Sequence, residues 1–283
     1  MHSGKLVYGR PAQAPKCRYL DARAQELGLS VHESLSALLQ DAVSKLSEGA
    51  LRRNGEATVP LFIWKSPEFQ SWYEHLRQAG NRLDGVKVLH SFFVRSQHLF
   101  SYTLMADVWV SAEQRSKSNE FVFARKDTSA VVAYHKTASG IEVAFVREFR
   151  TCVNNSEGFV VELPSGSTFQ EGHTPLQVAM AELGEELGLH IDDASRLRPV
   201  SSRQLVATLS SHRAHLYAVQ LNEQEWAHVR QHAQEQTVFG LIDDGERTRI
   251  VVSTLAEMFA LPLDQSTLGM VLEALQDELR LLA

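Results

Sequence analysis

The sequence is poor in cysteine and has no long apolar run. Its 283 residues include two cysteines, Cys17 and Cys152, and no C-x-x-C pair. A zinc knuckle, a dithiol redox motif and a disulfide framework are therefore excluded. Residues 1–16 lack the apolar core of a secretory signal, and no stretch reaches the roughly 18 apolar residues of a membrane span. We expect a cytoplasmic protein that does not contact a membrane.

Basic residues are also in the minority. Lysine and arginine total 28 against 34 acidic residues, which gives a formal net charge of −6. Nucleic acid is an unlikely partner on this count, because its phosphate backbone attracts basic surfaces. Hydrophobic residues make up 44% of the chain and charged residues 22%. This composition predicts a globular protein with a sizeable core.

The residue pattern changes near Gly85. Before it, a capping box at Ser30 and Glu33 precedes an apolar stripe that predicts a helix up to Leu46. A short strand is predicted over Leu61–Trp64, and a second helix begins at Ser66-Pro67 and runs to about Gln78. We therefore predict a small helical or α+β N-terminal domain of unknown role over 1–85, followed by an α/β domain over 86–283.

The N-terminal segment allows other interpretations. The run Ala24–Ser30 is faintly similar to a helix-turn-helix, but the helix after it has no arginine or lysine before Lys45. A helix that reads a DNA groove normally presents basic or amide groups, so a core helix is favoured. The segment also contains an aromatic cluster, formed by Trp64, Phe69, Trp72 and Tyr73. For this cluster, packing in the core is favoured over a separate activity of the segment.

The second domain alternates strands with helices. Strands are predicted at Val88–Val94, Leu104–Val110, Phe121–Phe123, Ala130–His135, Glu142–Val146, Phe159–Leu163, His215–Gln220 and Arg249–Ser253. Helices are predicted over Pro175–Leu187 and from about Ser266 to Leu282. The first of these helices has Thr174 as its N-cap and Gly188 at its end. The fold class is therefore mixed α/β.

That first helix carries Glu182, Glu185 and Glu186. Spacings of three and four residues place the three carboxylates on one helical face, where like charges repel. Solvent can offset this repulsion, and so can a hard divalent cation such as magnesium or manganese. Exposed glutamates are common on helices, so the spacing alone favours the solvated face.

The segment around this helix resembles the Nudix box, written G-x5-E-x7-R-E-U-x-E-E-x-G-U with U apolar. Glu182–Leu189 matches its second half, and Gly166 matches its first glycine. Val146–Arg150 and Glu162–Gly166 are similar to the V-R-Q-Y-R and E-L-P-A-G segments of the ADP-ribose pyrophosphatase branch. Leu263–Leu268 is similar to the start of that branch's last helix. The resemblance covers about 86–283 and implies a Nudix fold, a mixed sheet between helices.

The resemblance implies the chemistry of a metal-assisted diphosphatase. It implies that Mg²⁺ or Mn²⁺ is held by Glu182, Glu185, Glu186 and the backbone carbonyl of Ser165. Glu185 and Glu186 would act in catalysis together with His212, which stands where the branch often has a loop glutamate and can act as a general base.

Substrate contacts and oligomeric state follow from the same resemblance. Arg150, with Glu162, would bind the diphosphate of the substrate. A surface ion pair of Arg150 with Glu148 or Glu162 is an equally good interpretation. The branch commonly forms dimers, and the strands from Val86 to Phe123 occupy the place of its dimer contact, so we expect a homodimer.

Two box positions depart from the family. Ala181 stands at the box arginine, and His173 stands at the first glutamate after one extra residue. The favoured interpretation of His173 is a polar loop residue.

The matches and departures of the Nudix box support two hypotheses about function. The first is a divergent hydrolase of an ADP-ribose-like compound or a nucleotide sugar. The alternative is a catalytically inactive Nudix-domain protein that binds a nucleotide in a regulatory role.

Overall fold

The computed structural model describes residues 52–94, 98–168, 172–241 and 245–282, and it shows a mixed α/β protein. Asn54–Ala283 form one compact unit, separate from Met1–Arg53. Gly85, where the sequence places a domain boundary, lies within the first strand of this unit. The helix predicted up to Leu46 and the helix-turn-helix alternative lie outside the described residues.

The unit begins with a 3₁₀ helix, Asn54–Thr58, and two α-helices, α1 (Leu61–Trp64) and α2 (Pro67–Gln78). The strand predicted for Leu61–Trp64 is wrong. The carbonyl of Pro60 accepts hydrogen bonds from Ile63 N–H at 3.0 Å and Trp64 N–H at 2.9 Å, and these bonds close a helical turn. The second helix is confirmed, with the Ser66 hydroxyl as its N-cap.

Three antiparallel strands follow in the order β1 (Arg82–Val94), β2 (His98–Val110) and β3 (Arg115–Arg125). A short 3₁₀ helix, Ser111–Glu113, joins the last two. Helices α1 and α2 pack on this sheet around Phe69, which is fully buried. The rings of Trp64 and Tyr73 lie within 6 Å of the Phe69 ring. The predicted role of the aromatic cluster in core packing is therefore confirmed.

The remaining strands form an eight-stranded sheet in the order β10-β11-β5-β4-β9-β8, with β6 paired to β5 and β7 paired to β4. Its strands are β4 (Thr128–Thr137), β5 (Gly140–Phe149), β6 (Phe159–Glu162), β7 (Ser165–Gly166), β8 (Arg198–Gln204), β9 (Arg213–Gln220), β10 (Val238–Phe239) and β11 (Thr248–Thr254). The pairing of β4 with β9 is parallel, and the other pairings are antiparallel.

Helices cover both faces of this sheet. They are α3 (Pro175–Leu187), α4 (Glu223–Glu235), α5 (Gln265–Ala274) and α6 (Gln276–Leu282), with 3₁₀ turns at Ala194–Arg196 and Glu257–Ala260. One core contains Leu183 of α3 and Trp226 of α4, and the core on the other face contains Val271 of α5. The resulting three layers are typical of α/β proteins.

The C-terminal helix differs from its prediction. The sequence predicts one helix from Ser266 to Leu282, but the structure has two, because the α-helical conformation is interrupted at Leu275. The Leu275 side chain is fully buried in the core. Within the described part of the chain, no helix is both long and apolar enough to cross a membrane.

Candidate functional site

Helix α3 carries the three glutamates, and its ends are fixed as the sequence predicts. The Thr174 hydroxyl accepts the Gln177 N–H at 3.3 Å, and the Gln177 side chain accepts the Thr174 N–H at 2.8 Å. This reciprocal pair is a capping box. The helix ends at Gly188, whose φ of +64° lies in the left-handed region that glycine tolerates. Local sequence therefore fixes the register of the glutamates.

Glu186 is the most deeply buried of the three glutamates, with 2% of its surface exposed. Its Oε2 accepts a 2.8 Å hydrogen bond from the backbone N–H of Ser165 in β7. Burial raises the pKa of Glu186 well above its usual value, and the charge of Glu182 raises it further. Ser165 therefore contacts Glu186 through its backbone N–H. The resemblance implied a different role for Ser165, in which its carbonyl binds the metal ion.

Glu182 lies against the same short strand. A Cβ atom on Gly166 would overlap the Glu182 carboxylate, so glycine allows this close approach. Burial raises the pKa of Glu182 to about 8, with further contributions from Glu185 and Glu246. Burial and Glu246 also raise the pKa of Glu185. The three carboxylates therefore share a partly desolvated site.

Two further glutamates complete the acidic cluster. Glu148 lies near the end of β5 and is 7% exposed. Glu246 follows β10, in a segment whose Gly240 N–H donates a 3.0 Å hydrogen bond to the carbonyl of Glu185 on α3. One carboxylate oxygen from each of Glu148, Glu186 and Glu246 lies within 4.8 Å of the other two. Strands and helix thus bring together carboxylates from three separate parts of the chain.

The donor set of this acidic cluster fits a hard divalent cation. Magnesium prefers oxygen ligands at about 2.1 Å, so neighbouring oxygens of its octahedral shell lie roughly 3 Å apart. The three oxygens within 4.8 Å of one another approach this spacing. Burial raises the pKa of Glu148 and of Glu186, and the charge of Glu246 raises both further, so a cation would favour the ionised carboxylates.

Arg150 lies beside this cluster and is held by two carboxylates. Its guanidinium is 2.8 Å from Glu148 Oε2 and 2.9 Å from Glu162 Oε2. Burial alone would lower the pKa of Arg150, but Glu162 and Glu148 raise it above its usual value. The ion pairs considered for Arg150 are therefore present. They also fix the guanidinium at the cleft wall, where 39% of the side chain remains exposed.

His212 lies in a loop that is attached to the other sheet. The Phe123 N–H donates to the Leu209 carbonyl, and the Ser211 N–H donates to the Phe123 carbonyl, both at 2.9 Å. The Nδ1 atom of His212 contacts the Ser210 hydroxyl. Burial, and after it the charge of Arg125, lowers the pKa of His212. The ring is therefore neutral at pH 7 and able to accept a proton.

One open cleft of about 1150 Å³ brings the predicted site residues together. Those that line it are Arg150, Glu162, Ser165, Glu182, Glu185 and His212, and the cleft wall also includes Glu148 and Glu246. Glu186 lies beneath this wall, where it contacts Ser165. We refer to this cavity as the carboxylate cleft. It can hold a cation at its acidic wall and an anionic group beside Arg150.

Sequence reasoning missed two members of the carboxylate cleft as acidic-cluster residues. The sequence indicates Glu148 only as a partner of Arg150, and Glu246 has no spacing signal because sixty residues separate it from Glu186 in the chain. Arg125 also lines the cleft. The sequence of β3 does not predict this role, because a polar residue next to the buried Ala124 is typical of any strand with one exposed face.

The two positions that depart from the Nudix box lie outside the carboxylate cleft. Ala181 is exposed on α3, so the missing arginine leaves no buried gap. His173 is exposed just before the helix and lines a second pocket. Glu182 and Glu185 line the carboxylate cleft, with Glu186 beneath its wall, although neither box residue is present. Compared with known proteins, the chain matches no family model and no curated protein.

Proposed function

We propose that this chain is a divergent Nudix-type hydrolase that cleaves the diphosphate of an ADP-ribose-like compound or a nucleotide sugar. The observation that carries this proposal is that Glu182, Glu185 and Arg150 line one cleft, with Glu186 beneath its wall. A diphosphate needs cations for its negative charge and a positioned water for hydrolysis. The cleft offers the glutamates as ligands for the cations and His212 as a candidate base for the water.

Magnesium or manganese is the proposed cofactor. Glu182, Glu185 and Glu186 would hold it, with Glu148 and Glu246 as the nearest additional carboxylates. When bound, such a metal ion neutralises phosphate charge and lowers the pKa of water. The hydrogen bond from Ser165 to Glu186 keeps one carboxylate oxygen turned towards β7 and thereby orients the other.

The side chains of the cleft have separate roles in the proposed reaction. Arg150 binds and orients the diphosphate through the fork of its guanidinium. Glu162 and Glu148 hold that guanidinium in place. His212 accepts the proton of the attacking water, because its ring is neutral at the working pH and its Nδ1 is fixed by Ser210.

The alternative function is nucleotide binding without turnover. It is favoured by the alanine at position 181, because the Nudix box places there an arginine that pairs with the glutamates. In this chain Arg150 contacts the cluster instead, through its ion pair with Glu148. Binding without product release would support this alternative.

A homodimer is also part of the proposal. The three-stranded sheet carries several large apolar side chains that are exposed by more than a third, namely Leu89, Phe92, Phe93 and Phe121. A group of exposed apolar side chains of this kind is typical of a protein–protein contact. A second copy of the chain is the partner that the resemblance implies.

Phosphate release gives the direct test of the hydrolase. ADP-ribose, nucleotide sugars and dinucleotides are incubated with the protein and Mg²⁺ or Mn²⁺, and alkaline phosphatase releases phosphate from any phosphomonoester product. We expect turnover that depends on the metal and is lost in Glu186→Gln. Glu74→Gln, at an exposed position of α2, serves as the matched control and should keep full activity.

The outcomes separate the two functions. Unchanged turnover in Glu186→Gln would rule out the assigned metal site. No turnover across the panel, together with binding of one of the compounds by calorimetry, would favour the binding protein. No turnover and no binding would contradict both functions.

A further inference from the structure

A second pocket of about 540 Å³ adjoins the carboxylate cleft. Arg125 and His212 line both cavities, so the two are neighbours. Its walls come from the start of α2, the turn between β3 and β4, the residues just before α3 and the start of β9. These two side chains face both cavities, so a substrate with groups in both would pass beside them.

The second pocket is rich in basic side chains. Six of them line it: Arg125, Lys126, His173, His212, Arg213 and His215. The acidic side chains at its wall are Glu68 and Asp127. The basic residues thus outnumber the acidic ones, although the chain as a whole is acidic.

Asp127 is already engaged by its neighbours. Its Oδ1 accepts the backbone N–H of Arg213 at 2.8 Å, and its Oδ2 lies 3.4 Å from His215 Nε2. Asp127 therefore orders the pocket wall and has little capacity left for the arginine guanidiniums. Glu68 comes from a different element, the first turn of α2.

The two arginines of the pocket have neutral partners. Arg125 donates to the Ser167 hydroxyl at 3.4 Å and lies over the Phe100 ring, and its Nε is buried without an acceptor. Arg213 donates to the hydroxyl and the carbonyl of Ser202. Among the described residues, neither guanidinium has a carboxylate within ion-pair distance. A buried guanidinium without a counter-ion is costly, and an anionic ligand would offset that cost.

We propose that the second pocket binds a phosphomonoester carried by the same substrate whose diphosphate lies in the carboxylate cleft. The proposal rests on the proposed function, and it narrows the substrate to nucleoside diphosphate derivatives with an additional phosphate. His173 contributes directly, because a histidine donates a hydrogen bond to phosphate where a glutamate would repel it. The departure of this position from the Nudix box thereby becomes a determinant of specificity.

Pairs of compounds that differ by one phosphomonoester test the proposal. NADP⁺ and NAD⁺ form one pair, and coenzyme A and dephospho-coenzyme A form a second. Binding is measured by calorimetry with Mg²⁺ on the full chain carrying Glu186→Gln, in which turnover does not consume the ligand. We expect the phosphorylated member of at least one pair to bind tenfold or more tightly than its partner.

Variants of the pocket wall assign the effect to this site. His173→Glu and, from helix α2, Ser71→Glu should each bring the affinity ratio close to one, because both introduce negative charge into the pocket that binds the phosphate. His190→Glu, an exposed position at the other end of α3, is the matched control and should keep the ratio. The two substitutions lie on different elements, so the test can still be read if one of the two variants fails to fold.

Three outcomes would overturn the proposal. They are equal affinity for both members of both pairs, no binding of any of the four compounds, and inorganic phosphate alone binding as tightly as NADP⁺. The last would indicate a site for free anions. Metal-dependent turnover by the parent protein is measured separately. Failure of the hydrolase with a retained affinity ratio would leave the pocket assignment intact.

Discussion

The backbone N–H of Ser165 donates a 2.8 Å hydrogen bond to Oε2 of Glu186, and this bond joins β7 to the helix that carries the glutamates. The carboxylate is 2% exposed, so it loses nearly all of its hydration on folding. The bond satisfies one oxygen, and among the described residues no cation lies within ion-pair distance of the carboxylate. The stability of Glu186 variants should therefore depend on whether the new side chain carries a charge and whether it can accept the Ser165 N–H.

Replacement of Glu186 should separate charge from hydrogen bonding. Glu186→Gln keeps an oxygen for the Ser165 N–H and removes the charge, so we expect metal-free protein at pH 8 to gain about 1 kcal/mol or more of unfolding free energy. Glu186→Leu leaves the N–H without an acceptor and should be about 1–3 kcal/mol less stable than Glu186→Gln. Urea denaturation measures both values, and equal stability of the two variants would contradict the role of the hydrogen bond.

Glu182 should make the metal-free protein less stable as the pH rises. Burial raises its pKa from 4.5 to about 8 in the folded protein, while the unfolded chain ionises near the lower value. Its contribution to stability is therefore complete below about pH 4.5 and lost as the pH rises through 8. The loss is about 2–4 kcal/mol after allowance for partial exposure.

Thermal denaturation in EDTA at pH 5 and pH 8 measures this effect. We expect the midpoint to fall between the two pH values in the parent protein and to fall less in Glu182→Gln. Added Mg²⁺ should reverse the fall at pH 8. An identical fall in the variant would show that other groups cause it.

Arg150 should affect substrate binding and stability through different partners. Arg150→Gln removes the group proposed to bind the diphosphate, so we expect KM to rise at least tenfold. It also leaves Glu148 buried without its cation, which should cost about 1–3 kcal/mol of unfolding free energy. Adding Glu148→Gln should restore stability but not KM. Recovery of KM in the double variant would indicate that Arg150 acts only as a structural ion pair.

His212 should set the acidic limb of the pH–rate profile. Burial and Arg125 hold its pKa below 6.5, so the neutral ring that accepts a proton persists to lower pH than in free histidine. We expect kcat to rise with pH to a plateau, with a midpoint below 6.5. His212→Gln should lower kcat about 10²–10⁴-fold and abolish this limb, and His190→Gln is the control for removal of a histidine.

Phe121 should contribute to self-association. It lies on β3, opposite Met105 of β2, and is 44% exposed. We expect the parent protein to be dimeric by light scattering at micromolar concentration, and Phe121→Glu to be monomeric, because a charge in an apolar contact is costly. Phe259→Glu changes a phenylalanine that is 64% exposed on a different element and should remain dimeric. A monomeric parent protein would contradict the homodimer.

The parts of the fold that local sequence determines were predictable. Helix α3 has the predicted bounds because Thr174, Gln177 and Gly188 set them through short-range hydrogen bonds and backbone conformation. The segment Leu61–Trp64 was not predictable by apolar pattern, since four apolar residues fit a strand and a buried helical turn equally well. The helical turn forms because the carbonyl of Pro60 accepts the N–H groups of Ile63 and Trp64.

The site was predictable where its residues share one helix or one motif. Spacing places Glu182, Glu185 and Glu186 on one helical face, and the resemblance to the Nudix box predicts them as site residues. Glu148 and Glu246 join them only because strands distant in sequence become neighbours. The ion pairs of Arg150 also depend on this tertiary arrangement, because β5 pairs with β6 and thereby brings Glu162 within reach.

The parallel pairing of β4 with β9 has a consequence for biosynthesis. It joins Thr128 to Ala214 across a long intervening segment, and such nonlocal pairings form slowly. Glu246 lies still further along the chain, so a growing polypeptide acquires this carboxylate only after both central strands have been made. Incomplete chains released before that point would therefore lack the full acidic cluster, and they would bind the proposed metal ion only weakly.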